Sequence, residues 1–501
     1  MCLNGNCFDF SNYADEKVAV FIAGPGYLEF PWALETALRL KRANAKVTVI
    51  DLSDFATPYA MRLRVLGCYL PFTARRVLRS LFFKSESRIE NVMREVCLRK
   101  GIDYFREQIP STKGFGSKLI QLNALKGLTW GHLDAFQICQ STFSSFKKIN
   151  LESTDLVNYK LVRDVKHAIE QTHIQIESLK KQNFDAVFLA NGRQPVQAEI
   201  TIGFRGDGVD VVLYESGGGY IFPSLLKKRL EYFLTSPANS SELREKINCT
   251  NPAHAIDSRL AKLVEKNVRD RNFIPFRLNY LTDIPSDFDE TQLSAGKNFA
   301  FFSTSEWEIS ILQNYESSSG LERLFESQLT AVATILDFLK DEDRLFLRLH
   351  PSDPGNHAGA EEKWKVFKDN QTVVFYPPES RVDSYKLAEA MDGNFVWATF
   401  LGYELALRGM PVAIVGDAVY SSCFGRNWIR DNKDLKFFID NPENVPEDML
   451  APYSNYLAVG GIEILDSETD QHRQVTLAGQ RVDRPRFLFR LTPRKIIEAT
   501  S

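Results

Sequence analysis

The sequence predicts an α/β protein in two halves, each a parallel sheet covered by helices, with the halves facing one cleft. Three observations carry that expectation. Apolar runs of strand length alternate with helical periodicity in residues 17–51 and 185–215, and again in 298–416, as parallel strands joined by covering helices require. The chain turns polar and broken between about 235 and 294, through Ser236-Pro-Ala-Asn-Ser-Ser241 and Asp283-Ile-Pro-Ser-Asp-Phe-Asp289, and the later part of that stretch suits an interdomain connection. Residues 397–416 read as strand, Gly-bearing turn, short helix and second strand. The expected units are 1–285, 286–445 and a partly irregular extension, 446–501.

In the first unit, Lys17-Val-Ala-Val-Phe-Ile-Ala23 has the composition of a buried strand. Gly24-Pro-Gly26 turns the chain into a helical pattern over 29–42, and Lys46-Val-Thr-Val-Ile-Asp51 returns as a parallel strand. Residues 55–148 are irregular and helical, and their pattern assigns no strands. Helical periodicity resumes over 158–181. It leads to a strand at 185–191, a helix near 194–203 and a strand at 210–215. The second unit repeats the alternation: strand 298–303, helix near 321–339, strands 344–350 and 372–376, then the 397–416 corner. No tandem repeat is evident, and the tail after about 467 is polar and then basic, as a partly disordered end would be.

Bulk composition excludes several classes. A chain of 501 residues with 44% hydrophobic content buries a large core. A formal net charge of -3 lacks the basic excess of a nucleic-acid binder. Seven cysteines, at 2, 7, 68, 97, 139, 249 and 423, include no CxxC pair and read as reduced thiols of a cytoplasmic protein. Residues 1–13 carry no apolar signal-peptide core, and the apolar runs are too short to span a membrane. Residues 59–84 hold Arg62, Arg64, Arg75, Arg76, Arg79 and Lys84 with interleaved aromatics and no acidic residue. Such a stretch can dock peripherally on an anionic inner-membrane face, although an ordinary helix pair with basic outer faces is the preferred account.

Candidate chemistry gathers at strand ends, where open α/β sheets place their ligands. In the second half these are Ser303, Thr304, Ser305 and Glu306, then His350-Pro351, then Thr399, Gly402 and Glu404. Hydroxyls, an imidazole N–H and backbone N–H groups at a helix start suit a nucleotide with its phosphate, with Glu404 near the ribose. Ser and Thr capping the next helix is the plainer alternative. In the first half Glu215 ends a buried strand ahead of Gly217-Gly-Gly219, placed to act as base or nucleophile. Gly24, Gly26, Asn191 and Arg193 end two other strands of that half and can line an acceptor cleft. Asp341-Glu-Asp343 reads as a charged turn. His132, His167, His173, His254, His357 and His472 lack metal-ligand spacing, so no metal site and no cofactor are expected.

Phe301-Phe-Ser-Thr-Ser-Glu306, Leu349-His350-Pro351 and Trp397-Ala-Thr-Phe-Leu-Gly-Tyr-Glu-Leu-Ala-Leu-Arg-Gly-Met-Pro411, in that order, resemble the second domain of capsule polysaccharide synthesis glycosyltransferases. Asn191-Gly-Arg193 and Tyr214-Glu215 resemble the first domain of that family, which includes Kdo transferases using CMP-Kdo. The resemblance covers about residues 185–425. It implies two Rossmann-like domains facing a cleft (GT-B type) and a metal-independent glycosyltransferase taking a nucleotide sugar to a glycan or glycolipid acceptor. His350 would then bind the donor nucleotide, Thr399 its phosphate and Glu404 its ribose, with Glu215 the catalytic carboxylate. Tyr420-Ser-Ser-Cys-Phe-Gly425 departs from the aromatic and Gly-Trp-Gly element that the family carries after this corner, which leaves the donor open. A sugar-nucleotide epimerase, a polyol-phosphate transferase and a non-catalytic GT-B-shaped binding subunit are the alternatives.

Overall fold

The computed structural model describes residues 8–24, 29–53, 55, 90–106, 118–147, 155–192, 194–216, 229–234, 241–249, 258–270, 288–304, 324–351, 363–465, 467–469, 475–477 and 480–482. Gly26, Arg193, Ser305, Glu306, the basic stretch 59–84 and the end of the tail lie outside them.

Strand β1 (Lys17–Ile22) is buried on both faces from Val18 onward, as a central parallel strand must be. Helix α1 (Glu29–Arg42) carries Glu29 in its first turn and Arg39, Lys41 and Arg42 in its last, matching the helix dipole. It delivers the chain to β2 (Lys46–Asp51), parallel to β1. A helical stretch at 90–99 precedes β3 (Asp103–Arg106), which extends the sheet beside β2. Thus the 55–148 region does contain a sheet strand, missed because Asp103-Tyr-Phe-Arg106 has the half-exposed composition of an edge.

Next come β4 (Leu119–Gln121), the short hairpin of β5 (Thr129–Trp130) with β6 (Leu133–Asp134), α2 (Ala135–Lys147) and β7 (Leu156–Asn158), which pairs with β4. Asn158 caps α3 (Tyr159–Lys180) by accepting from the N–H groups of Lys160 and Leu161. Strand β8 (Ala186–Ala190) then lies on the other side of β1, followed by α4 (Pro195–Arg205) and β9 (Asp210–Ser216). Pro195 opens α4 and Gln194 with Gln197 forms its capping box. Strand β10 (Arg229–Phe233) runs antiparallel to β9, and α5 (Ser241–Cys249) and α6 (Ser258–Arg269) follow.

The second half is a five-stranded parallel sheet built from β11 (Asn298–Phe302), α7 (Gln328–Phe338), β12 (Arg344–Arg348), β13 (Val373–Tyr376), α8 (Ser384–Glu389), β14 (Gly393–Val396), α9 (Leu401–Leu407) and β15 (Val412–Ile414). Its order is β13-β12-β11-β14-β15. After α10 (Asn432–Asp440) comes α11 (Glu447–Val459), which packs against α5, α6 and α9 and so joins both halves.

Strand β16 (Ile462–Glu463) then pairs with β10, closing a seven-stranded first sheet of order β16-β10-β9-β8-β1-β2-β3. Within the segment expected as an extension, residues 462–463 thus pair with the first sheet. Strands β17 (Ser467–Thr469), β18 (Val475–Leu477) and β19 (Gln480–Val482) form a small antiparallel sheet against α1. An ion pair from Arg244 on α5 to Asp417 after β15, 2.8 Å long, links the two halves, and the Asp417 side chain is fully buried.

Candidate functional site

Sheet order fixes where each half can hold a ligand. In the second half the chain steps from β11 to β12 to β13, then crosses back to β14 on the opposite side of β11. The connections leaving β11 and β14 diverge there and open a crevice at their carboxyl ends. The first half repeats this at β1, with β2 and β3 on one side and β8 and β9 on the other.

At the second crevice three strand ends are tied together. Ser303 Oγ accepts the backbone N–H of His350 at 2.8 Å, so the hydroxyl after β11 fixes the bend after β12. Both Ser303 and Thr304 are buried. The Thr304 N–H donates to Gln328 Oε1 at 2.8 Å, and Gln328 Nε2 donates to the Thr304 carbonyl at 2.9 Å. This reciprocal amide pair pins the turn to the start of α7. Below it, buried Arg348 donates to the carbonyls of Pro377 (2.5 Å) and Ser380 (3.0 Å), and burial holds its pKa down to about 10. His350 itself stays partly exposed at the rim, with Pro351 exposed beside it.

The corner after β14 uses part of its own polarity. The Thr399 carbonyl accepts from the Gly402 N–H at 3.1 Å and from the Tyr420 hydroxyl, while Thr399 Oγ1 takes the Leu401 N–H at 3.4 Å. Gly402 leaves room: a Cβ there would lie 2.7 Å from Val396 Cγ2 and 2.9 Å from the Tyr420 hydroxyl. Glu404 is buried in α9, 2% exposed, and its charge adds to the burial that raises the Tyr420 hydroxyl pKa well above its usual value. That carboxylate packs inward from the corner.

At the first crevice two groups of hydrogen-bonded side chains stand at the ends of β1, β8 and β9. Asn191 Nδ2 donates to Glu215 Oε1 at 2.8 Å, and Asn191 holds a left-handed backbone (φ 58°) that aims the amide along the edge. Glu29 Oε2 accepts the N–H groups of Ala23 (3.1 Å) and Gly24 (2.7 Å), and Glu29 Oε1 accepts from Gln197 Nε2 at 2.7 Å. Burial of this carboxylate, with the Asp51 charge adding to it, outweighs those three donors and raises its pKa to about 7. Glu29 sits in a helix's first turn, where a carboxylate needs no special explanation, so its place in the helix does not single it out. Its place five residues after Gly24 was the signal available.

No family model matches the chain, and no curated protein matches it. Several solved structures are similar to it at low identity. They include a beta Kdo 2,7 transferase, KpsC of Thermosulfurimonas dismutans, at 11% identity over 66% of this chain and 90% of that one, with a TM-score of 0.34. The UDP-GlcNAc 2-epimerase of Methanocaldococcus jannaschii, in complex with UDP-GlcNAc and UDP, is 11% identical over 87% of this chain and 98% of that one, with a TM-score of 0.24. MurG of Acinetobacter baumannii is 11% identical over 89% and 96%, with a TM-score of 0.20. These likenesses bring no residue roles with them.

Of the expected site residues, Ser303 and His350 are tied by a hydrogen bond at the ends of β11 and β12, Thr399 follows the neighbouring β14, Asn191 holds Glu215, and Gly24 follows β1. Among the described residues no helix is long and apolar enough to cross a membrane.

Proposed function

We propose that this protein is a GT-B-type glycosyltransferase that moves a sugar, Kdo-like and from a CMP-activated donor, to a surface polysaccharide or glycolipid acceptor. The observation that carries the proposal is the tie between Ser303 and His350 beside the β11–β14 switch point. An imidazole at the end of β12 and a Thr399 hydroxyl following β14 support a nucleotide site at this switch point.

In this reading His350 donates to the leaving phosphate and Thr399 hydrogen-bonds it, so negative charge developing there is stabilised by groups already in position. Glu215, oriented by Asn191, takes the proton of the acceptor hydroxyl across the cleft. Glu29, its pKa raised by burial to about 7, serves as a hydrogen-bonding partner that holds Gln197 at the same edge.

Calorimetric titration of the wild type and His350→Ala with CMP, CDP, UDP and GDP tests the proposal. Selective CMP binding, weakened at least about tenfold in the variant by loss of a charge-assisted hydrogen bond, is expected. UDP preference would redirect the reading to a hexose transferase or a UDP-sugar epimerase. Absence of binding by every nucleotide would remove the donor site.

A further inference from the structure

A cluster far apart in sequence forms where the β5–β6 hairpin lies on α3 and α4. His132 Nδ1 is 2.7 Å and His173 Nδ1 2.9 Å from the same oxygen, Glu199 Oε1. The His132 backbone N–H also contacts Glu199, 2.9 Å from Oε2 and 3.2 Å from Oε1. All three potential ligand atoms lie within 4.8 Å of one another.

We propose that His132, His173 and Glu199 bind a divalent transition-metal cation, zinc by preference, which fastens the 118–147 segment to the α3–α4 pair. Two imidazoles and one carboxylate are a ligand set that zinc accepts. Tetrahedral zinc with bonds of about 2.0–2.1 Å needs ligand atoms about 3.3 Å apart, so the two His–Glu spacings, 2.7 and 2.9 Å, open by roughly half an ångström to admit the ion, while atoms now up to 4.8 Å apart draw in. Both histidine side chains are partly exposed, 30% and 36%, so the fourth position faces water.

Two features argue for a built site over a chance contact. Glu199 is fully buried, and a buried carboxylate needs positive charge close by. The two rings pack edge to face with centroids 4.6 Å apart, both within reach of the same carboxylate oxygen, and a divalent ion held among the three compensates that carboxylate.

The backbone is also cut away around the cluster. Gly131 has φ +55°, and a Cβ there would lie 2.4 Å from Glu199 Oε1. Gly203, one turn beyond Glu199, leaves the space that the His132 ring fills, since its Cβ would lie 3.3 Å from His132 Cε1.

The test uses the full chain, stripped with chelator and dialysed. Zinc chloride is titrated by calorimetry and cobalt(II) by visible absorption, with melting followed in parallel. A single equivalent of zinc per chain, the absorption bands of four-coordinate cobalt and a zinc-dependent rise in melting temperature are expected. His173→Ala, at a helix position that alanine suits, should fold as the wild type does. It should lose the cobalt bands and bind zinc at least about tenfold more weakly, while its nucleotide titration stays unchanged. Glu199→Gln should behave alike, and if it fails to fold, the His173→Ala arm decides. No zinc uptake by the stripped wild type, or equal uptake by His173→Ala, overturns the site.

Discussion

Ser303 Oγ accepts the backbone N–H of His350 at 2.8 Å, across 47 positions of sequence and between the ends of two neighbouring strands. The serine is buried and the bond itself is partly buried. Ser303→Ala removes the acceptor and strands that N–H, at a cost of about 1–3 kcal/mol. A lower melting temperature with the fold retained, and nucleotide affinity weakened in step with the looser His350 turn, are the expected results. Unchanged affinity would separate the turn from the donor site.

Asn191 combines a left-handed backbone with the amide that holds Glu215. Asn191→Gly keeps the backbone conformation accessible and removes only the amide. Stability should move by less than about 1 kcal/mol, while transfer slows because Glu215 loses its orientation. Melting curves paired with turnover measurements check this, and intact turnover in the variant would end the role assigned to Glu215.

Glu29 has its pKa raised from an ordinary 4.5 to about 7 by burial. Between those values the folded protein binds more protons than the unfolded chain. The contribution of this group to stability is therefore greatest below pH 4.5, declines as pH rises through about 7, and is level above. Glu29→Gln should flatten that part of the stability profile. Denaturant melts of both proteins from acid to mildly alkaline pH read it directly, and parallel slopes would refute the assigned shift.

Asp417, with its side chain fully buried, pairs with Arg244 from the other half of the molecule. Asp417→Ala leaves a largely buried guanidinium without its carboxylate and should cost about 3–5 kcal/mol. The double variant Arg244→Met, Asp417→Leu should recover much of that loss. A double-mutant cycle measures the coupling, and additive losses would show that the pair does not hold the halves together.

Much of the architecture was legible in the sequence because its signals are local. Lys17-Val-Ala-Val-Phe-Ile and Asn298-Phe-Ala-Phe-Phe are apolar on both faces, which only a covered parallel strand tolerates. The helices starting near 158 and 194 followed from helical periodicity between strand-like runs, a signal spread over neighbouring residues. Strand β3 was missed because an edge strand is half exposed and carries a mixed pattern. The return of residues 462–463 to the first sheet was invisible for a related reason: two residues of pairing leave no periodicity.

The candidate site divides along the same line. The sequence by itself determined which residues end the central strands, Ser303, His350, Thr399, Asn191 and Glu215, since strand length and turn composition are properties of neighbouring residues. Only the tertiary structure decided which of them meet. Strand order brings β11 between β12 and β14, turns Glu404 inward, gives Glu29 its raised pKa and assembles His132, His173 and Glu199 from three segments. Burial and through-space distance set those properties, and neither is a function of spacing along the chain.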